Sequence, residues 1–484
     1  MNNPRFVLPV FSVLFLFFAV ACTPAADQQA VGRQMPYPTN VIIFIGDGMG
    51  FNQVLAANYY EFGEAGAQPY EQADWLQLAS STYAAVTRRT AEDTVFGVSY
   101  NPRLAWQDPD YLNQGATGSA ESGTAMSTGI KTYSPSIGLG VFGDTLVHLS
   151  QAAKALGKSA GVVSSVQLSH ATPASFAAHN HARGNMDEIA RYMLFNTRLD
   201  LIMAAGNPDF DNNGMPDEGS GRFVGGREIW EQLKENNGRT YVLFEGDTLF
   251  MQDIDGDGQR DLWTLIQTRE DFQALAQGET PKRVLGVPKA HTTLNYGRDG
   301  SEESLPFAVP LNENVPDLKE ITLAALNVLN QNPNGFFVMV EGGAIDWAGH
   351  GNHLGRIIEE QIDFNHAIRA AIEWVEANSS WDETLIIITS DHETGYLTGP
   401  DHPEVINAPV VNQGLGELPL AIWNSGGHTN QLVPFYAKGK GAELLELFAD
   451  ELDPVRGPYI QHTEFAQAIF LMWGKPDIDN HRLN

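Results

Sequence analysis

Three runs of β-branched and apolar residues each lead into an acidic residue. Val41-Ile42-Ile43-Phe44-Ile45 runs into Gly46-Asp47-Gly48-Met49-Gly50, Phe336-Phe337-Val338-Met339-Val340 into Glu341-Gly342-Gly343, and Leu385-Ile386-Ile387-Ile388-Thr389 into Ser390-Asp391-His392-Glu393. Asp346 and His350 stand four residues apart, on one face of any helix that holds them. Taken alone, that pair reads as a surface ion pair; shortly after a strand-terminal Glu341 it reads as two metal ligands. Asp391 and His392, directly beyond a strand, can turn toward one ion. His428, in Gly426-Gly427-His428-Thr429, is a further candidate, although a lone loop histidine is usually just solvated. Mixed oxygen and nitrogen donors suit zinc and an oxygen-only set suits magnesium, so the chemistry in view is coordination of one or both metals.

The elements that must position these residues follow from periodicity. The three runs, with Gly161-Val162-Val163, are apolar without alternation, the pattern of strands buried on both faces. Ile357, Ile358, Ile362, Ile368, Ala371, Ile372 and Val375 repeat at helical spacing. The expectation is an α/β fold, a three-layer α/β/α sandwich with a large, mainly parallel central sheet and loop insertions. In such sheets the carboxyl ends of the strands form the ligand crevice, where the three acidic residues would meet.

Composition narrows the function classes. The 484 residues carry 59 acidic against 29 basic side chains, a formal net charge of -30, so nucleic acid and anionic membrane faces are excluded as partners. With 43% apolar and 18% charged residues the chain is not disordered. Arg5 followed by the apolar stretch Phe6 to Ala21 is the arrangement of an export signal. Ala19-Val20-Ala21-Cys22 resembles a bacterial lipoprotein signal with lipid on Cys22; an ordinary signal cleaved nearby is the alternative. The expected location is therefore the periplasm or, lipid-anchored, the outer membrane. Cys22 is the sole cysteine, so an intramolecular disulfide is excluded.

Asn40 to Gly50, Ser119 to Lys131, His170 to Arg183, Glu341 to His350, Asp391-His392 and His428 resemble, in order and style, the segments of the alkaline phosphatase family. The resemblance implies a metal-dependent phosphomonoesterase working through a phosphoserine, with two zinc ions, one magnesium and a homodimeric assembly. With the export signal taken as 1–21, the expected organisation is a linker over 22–36 and one catalytic domain over 37–475 with insertions around 205–265 and 393–427. Asp346, His350 and His428 would hold one zinc, and Asp47, Asp391 and His392 the second. Asp47 would also reach the magnesium, whose other protein ligands would be Thr172 and Glu341, with His170 acting through water. Trp347 stands where other members carry Lys or His for phosphate contacts, which makes it a substrate-binding candidate.

Phosphate monoesters are anions, so repulsion is the first obstacle to any nucleophile, and two cations can clamp the attacking and leaving oxygens. Ser119, in Thr117-Gly118-Ser119-Ala120-Glu121, is the candidate nucleophile at a helix start, where backbone N–H groups favour an anion; on its own segment it reads equally as an N-cap. Arg183 matches the family spacing after His170, and its planar fork suits two phosphate oxygens. Two departures stand out. Gly118 occupies a position where relatives usually carry Asp, and Glu121 one where they carry Ala or Gly, so Arg183 is expected to lack its orienting carboxylate and to be more mobile.

Asp209, Asp211, Asn213 and Asp217, and likewise Asp253, Asp255, Asp257 and Asp261, share a spacing of alternate oxygens around a turn glycine that calcium loops use; a pair of acidic turns is the alternative. Competing functions are a phosphodiesterase or sulfatase-like hydrolase on the same fold, and a calcium-binding surface protein without turnover.

Overall fold

Residues alternate in direction along the first strand, β1 (Asn40–Gly46), and this alternation sets up the layers. Every residue of β1 is buried. Val41, Ile43 and Ile45 enter one apolar cluster, while Ile42 and Phe44 enter another on the opposite face. The computed structural model describes Met1 and residues 37–89, 94–235 and 237–474, so the expected signal peptide beyond Met1, Cys22 and the whole linker over 22–36 lie outside the described residues. All that follows concerns the unit Pro36–Asn484.

The further strands of the main sheet are β2 (Leu76–Ser81), β3 (Ser159–Gln167), β4 (Leu201–Ala205), β5 (Thr264–Ile266), β6 (Val284–Gly286), β7 (Phe336–Gly342), β8 (Thr384–Thr389), β9 (Val433–Gly439), β10 (Glu451–Asp453) and β11 (Gly457–Gln461). Their order across the sheet is β10-β11-β2-β9-β8-β1-β7-β3-β4-β6-β5. From β8 to β5 every neighbour is parallel. Antiparallel pairing is confined to β9 with its two neighbours and to β10 with β11. The mainly parallel sheet expected from the non-alternating runs is present.

One face is covered by α4 (Leu318–Leu329) and α6 (Leu354–Asn378), the other by α2 (Ser119–Thr128) and α7 (His462–Met472). All seven periodic residues of α6 named above are buried. Phe364 of α6 meets Phe44 of β1 edge to face, with ring centroids 5.9 Å apart. Full burial of such side chains contributes about 1.5–3 kcal/mol each, which is why the sheet's centre is its most apolar part.

Register decides where the acidic residues emerge. Ile45 of β1 lies opposite Glu341 of β7 on one side and Thr389 of β8 on the other. Asp47, Glu341 and Asp391 therefore leave three adjacent strands at one edge. Immediately after β7, the short helix α5 (Ala344–Gly351) ends at Asn352, whose φ of 59° turns the chain into α6. That stop leaves Asp346 and His350 on a helix of just over two turns.

The expected insertions are part loop, part sheet. Residues 205–265 contribute a helix, α3 (Arg227–Glu235), and a hairpin pairing Tyr241–Phe244 with Asp247–Phe250, but the segment's end becomes β5 and pairs with β6 at the sheet edge. Residues 393–427 carry short pairings: Glu393–Thr394 with His428–Thr429, and Leu397–Thr398 with Ile422–Trp423.

Candidate active site

Four carboxylates crowd the crevice. Asp47, Glu341 and Asp391 are 0% exposed and Asp346 5%. Both oxygens of Asp47, Oδ2 of Asp391, Oε1 of Glu341 and the hydroxyl of buried Thr172 have no hydrogen-bond partner. Leaving such oxygens unpaired is costly. Burial, followed by repulsion from Asp391, Asp346 and Glu341, raises the Asp47 carboxyl well above its usual range. Asp391 is raised by burial and by Asp346, and Glu341 by burial. Asp391 Oδ1, by contrast, accepts from the backbone N–H groups of Gly48 (3.2 Å) and His392 (3.0 Å), which fixes its orientation.

Three imidazoles turn the same nitrogen toward these acids. His350 Nδ1 donates to the Gly426 carbonyl and His428 Nδ1 to the Thr117 carbonyl, both at 2.7 Å. Each Nε2 is thereby a lone pair in the neutral ring, yet the two Nε2 atoms lie 3.1 Å apart, each 3.4 Å from Asp346 Oδ1. His392 is locked through Thr394, whose hydroxyl donates to Asp346 Oδ1 (2.5 Å) and accepts from His392 Nδ1 (3.3 Å). Its Nε2 then faces Asp391 Oδ2 at 3.2 Å and Asp47 Oδ1 at 3.5 Å. Burial, then the charge of neighbouring His428, holds His392 well below the usual imidazole range, so it is a neutral donor. For His428 burial works the other way from its bond to Asp346, and the bond prevails and raises it.

Ser119 is the first residue of α2 and is 1% exposed. Its Oγ lies 3.3 Å from His392 Nε2 and accepts from Arg183 Nη1 at 3.4 Å. Arg183 Nη2 donates to His170 Nε2 at 3.0 Å. Burial, then the adjacent guanidinium, pushes His170 down to about 3, which keeps it an acceptor. Both of these side-chain partners of Arg183 are neutral. Trp347, partly exposed on α5, stands edge-on to His170 (6.2 Å) and to Tyr296 (6.3 Å).

Donor type and the unpaired buried oxygens fit metal ions. Asp346, His392 and His428 offer ligand atoms within 4.8 Å of one another, as do Asp47, Asp391 and His392, and also Asp47, His170 and Glu341. The first two sets are mixed nitrogen and oxygen, suited to zinc. In the third, the oxygens of Asp47 and Glu341 suit magnesium, and His170 stands beside them.

Residues missed in the sequence hold this centre in place. Glu393, 1% exposed, accepts from Thr429 Oγ1 (2.6 Å), Gln53 Nε2 (2.7 Å) and Leu397 N (3.1 Å), tying the segments that carry His392 and His428 to α1 (Phe51–Phe62). Ser122 donates to the Asp391 carbonyl and contacts His462 Nδ1, each at 2.8 Å. Their only signal was proximity in the chain to candidate ligands.

The acidic loops differ from each other. Asp209 is turned away from its loop: it pairs with Arg227 and Lys234 and accepts from Trp230 Nε1, while Asp211 caps the backbone of Asn213 and Met215. Asp209 is thereby committed to cations and an indole N–H outside the calcium-like spacing. Asp253, Asp255 and Asp261 do come together, and Lys282 Nζ lies 2.7 Å from Asp255 and from Asp261 and 3.5 Å from Asp257, so an ammonium offsets part of the group's charge.

Comparison with known proteins places the chain among relatives. A family model described as alkaline phosphatase matches residues 38–444. Alkaline phosphatase 3 of Bacillus subtilis (strain 168) is 29% identical, covering 96% of this chain and 96% of that protein. Alkaline phosphatase of Escherichia coli (strain K12) is 29% identical over 86% of this chain and 84% of its own. Among solved structures, alkaline phosphatase from the Antarctic bacterium TAB5 superposes with a TM-score of 0.60 at 24% identity, covering 91% of this chain and all of that one, a likeness of fold.

Proposed function

The chain belongs to the alkaline phosphatase family and is a metal-dependent phosphomonoesterase, and from that premise we propose that it turns over through a phosphoserine on Ser119 at a centre of two zinc ions and one magnesium. Asp346, His350 and His428 would hold one zinc; Asp47, Asp391 and His392 the other; Asp47, Thr172 and Glu341 the magnesium, with His170 beside them. When bound, the cations supply Lewis acidity that offsets charge on the phosphoryl oxygens and on the leaving oxygen.

The chain's own groups account for the remainder. Arg183 holds two phosphoryl oxygens with its fork and orients phosphorus toward Ser119. Ser119 Oγ attacks, the Oγ–P bond forms and the ester P–O bond breaks, and the alcohol leaves with a proton. Water then attacks the phosphoserine, releasing inorganic phosphate and restoring the hydroxyl. The start of α2 directs backbone N–H groups toward the charge that develops at Oγ. Trp347 and His170 wall the approach to Arg183.

The observation that supports this reading is the position of Ser119 Oγ between His392 Nε2 (3.3 Å) and Arg183 Nη1 (3.4 Å), the nucleophile between a metal-ligand cluster and an anion fork. Acid quenching of enzyme mixed with labelled monoester should leave label on Ser119; label on Ser122 or Thr117 instead would sink the assignment. Comparing monoester, diester and sulfate ester separates this function from its superfamily alternatives.

Assembly and address rest on resemblance. A homodimer is tested by sedimentation, and export with lipid on Cys22 by mass spectrometry of the N-terminal peptide.

A further inference from the structure

About one helical turn beyond the nucleophile, Ser122 Oγ stands 2.8 Å from the Asp391 carbonyl oxygen and 2.8 Å from His462 Nδ1. A hydroxyl has one proton, and a carbonyl can only accept it. Ser122 therefore donates to Asp391, and His462 donates from Nδ1 to Ser122 Oγ. His462 is 0% exposed and its Nε2 has no hydrogen-bond partner, which is the lone pair this tautomer leaves. Burial, then the charge of Lys131, pushes the imidazole down to about 3, and a backbone bond to Ser390 offsets them only in part, so the ring is neutral.

These contacts join three elements. Ser122 lies on α2 with Ser119, Asp391 and His392 follow β8, and His462 opens α7. A second tie holds α7 to α2, where Gln467 Nε2 donates to the Gly129 carbonyl at 2.8 Å. A Cβ at Gly129 would lie 2.9 Å from Gln467 Cγ, so the close approach requires glycine there. A helix serine can instead turn its hydroxyl to the carbonyl four residues back, here that of Gly118, which accepts the Ser122 N–H at 3.1 Å. The N–H arriving from His462 favours the arrangement that faces Asp391.

We propose that His462 is a positioning residue for phosphoryl transfer: through Ser122 it fixes the start of the nucleophile helix against the strand end that carries Asp391 and His392. Attack by Ser119 Oγ depends on that spacing, because a small misplacement of reacting atoms slows a step that the site otherwise aligns. The inference rests on Ser119 and Asp391 having the roles proposed above.

Rapid-quench formation of the phosphoserine by metal-loaded enzyme, well below the melting transition, tests it. His462→Ala should slow labelling of Ser119 about 10- to 100-fold and leave the inhibition constant for inorganic phosphate within about twofold, since Arg183 is untouched. His462→Asn keeps a donor at the position of Nδ1 and should recover most of the rate; His462→Gln, whose amide reaches the position of Nε2, should not. Ser122→Ala should match His462→Ala, and the double variant should be no slower than either, because coupled residues are not additive. Nitrogen-15 NMR of the loaded enzyme should assign to His462, by the signal lost in His462→Asn, a neutral ring protonated at Nδ1. A purely structural role would lower the melting temperature of the variants without separating their rates. An unchanged rate in His462→Ala, or a ring protonated at Nε2, would overturn the proposal. If His462→Ala fails to fold, equal losses in His462→Asn and His462→Gln would overturn it as well. Absence of label on Ser119 in the parent enzyme would instead remove the premise about the nucleophile.

Discussion

His350 and His428 face each other through Nε2 atoms 3.1 Å apart, although each ring already spends its Nδ1 proton on a backbone carbonyl. When both rings are neutral two lone pairs repel at that distance, and a cation that both can bind turns the repulsion into coordination. The same holds for the unpaired oxygens of Asp47, Asp391 and Glu341.

Metal removal should therefore lower the melting temperature and give it a distinctive pH dependence. In the metal-free protein the carboxyl of Asp47 is raised by burial and by its acidic neighbours. A raised carboxyl contributes stability that is present below its unfolded value near 4 and is lost as pH rises through the folded value. Chelated protein should become more stable between neutral and mildly acidic pH, whereas metal-loaded protein should not, because the cations compensate the charge. Calorimetry of both forms across that range checks the sign.

Ser119→Ala should retain the metals and lose the covalent intermediate. Activity should fall by orders of magnitude without vanishing, since water can still attack weakly at an electrophilic site. Metal content by mass spectrometry and the acid-quench label, measured on one preparation, separate loss of nucleophile from loss of metal. Asp391→Ala should do the reverse, losing metal first.

Thr394→Val removes one hydroxyl that orients two ligands, donating to Asp346 and accepting from His392. Metal affinity should drop about 10- to 100-fold, the usual cost of losing such a supporting partner. A competition titration with a chelator reads this, and an unchanged affinity would mean the ligands are held without Thr394.

Glu393→Ala should destabilise the fold by about 1–3 kcal/mol or more, because Gln53, Thr429 and the Leu397 N–H each lose a buried acceptor. Denaturant unfolding measures it, and the effect should persist in chelated protein.

Sequence made much of this legible where one physical requirement dominates. Strands buried on both faces leave non-alternating runs, so β1, β7 and β8 and the acids at their ends were readable, as was the buried stripe of α6. Pairings set by distant chain were not readable. Asp209 sits in a calcium-like spacing, but its partners Arg227, Trp230 and Lys234 belong to a helix whose placement no local pattern encodes. Lys282 offsets part of the second loop's charge from outside the motif. A missing Asp at 118 suggested a mobile Arg183, while the bond from the Gly118 N–H to Glu121 Oε1 enters only once α2 folds. Thr394 and Glu393 were invisible as supports because hydroxyls and buried acids beside ligands have no spacing rule of their own.

Gly48 N–H donates to Asp391 Oδ1 across 343 residues of sequence, where β1 and β8 lie side by side. A centre whose ligands come from both ends of the chain cannot form in a partly synthesised or partly translocated polypeptide. Contacts of such long range form slowly, because much loop-closure entropy is spent before they are made. Completion of the two zinc sites is then a late event that reports completed topology, and a fragment ending before β8, which lacks Asp391, His392 and His428, should remain zinc-free however well its own strands pair.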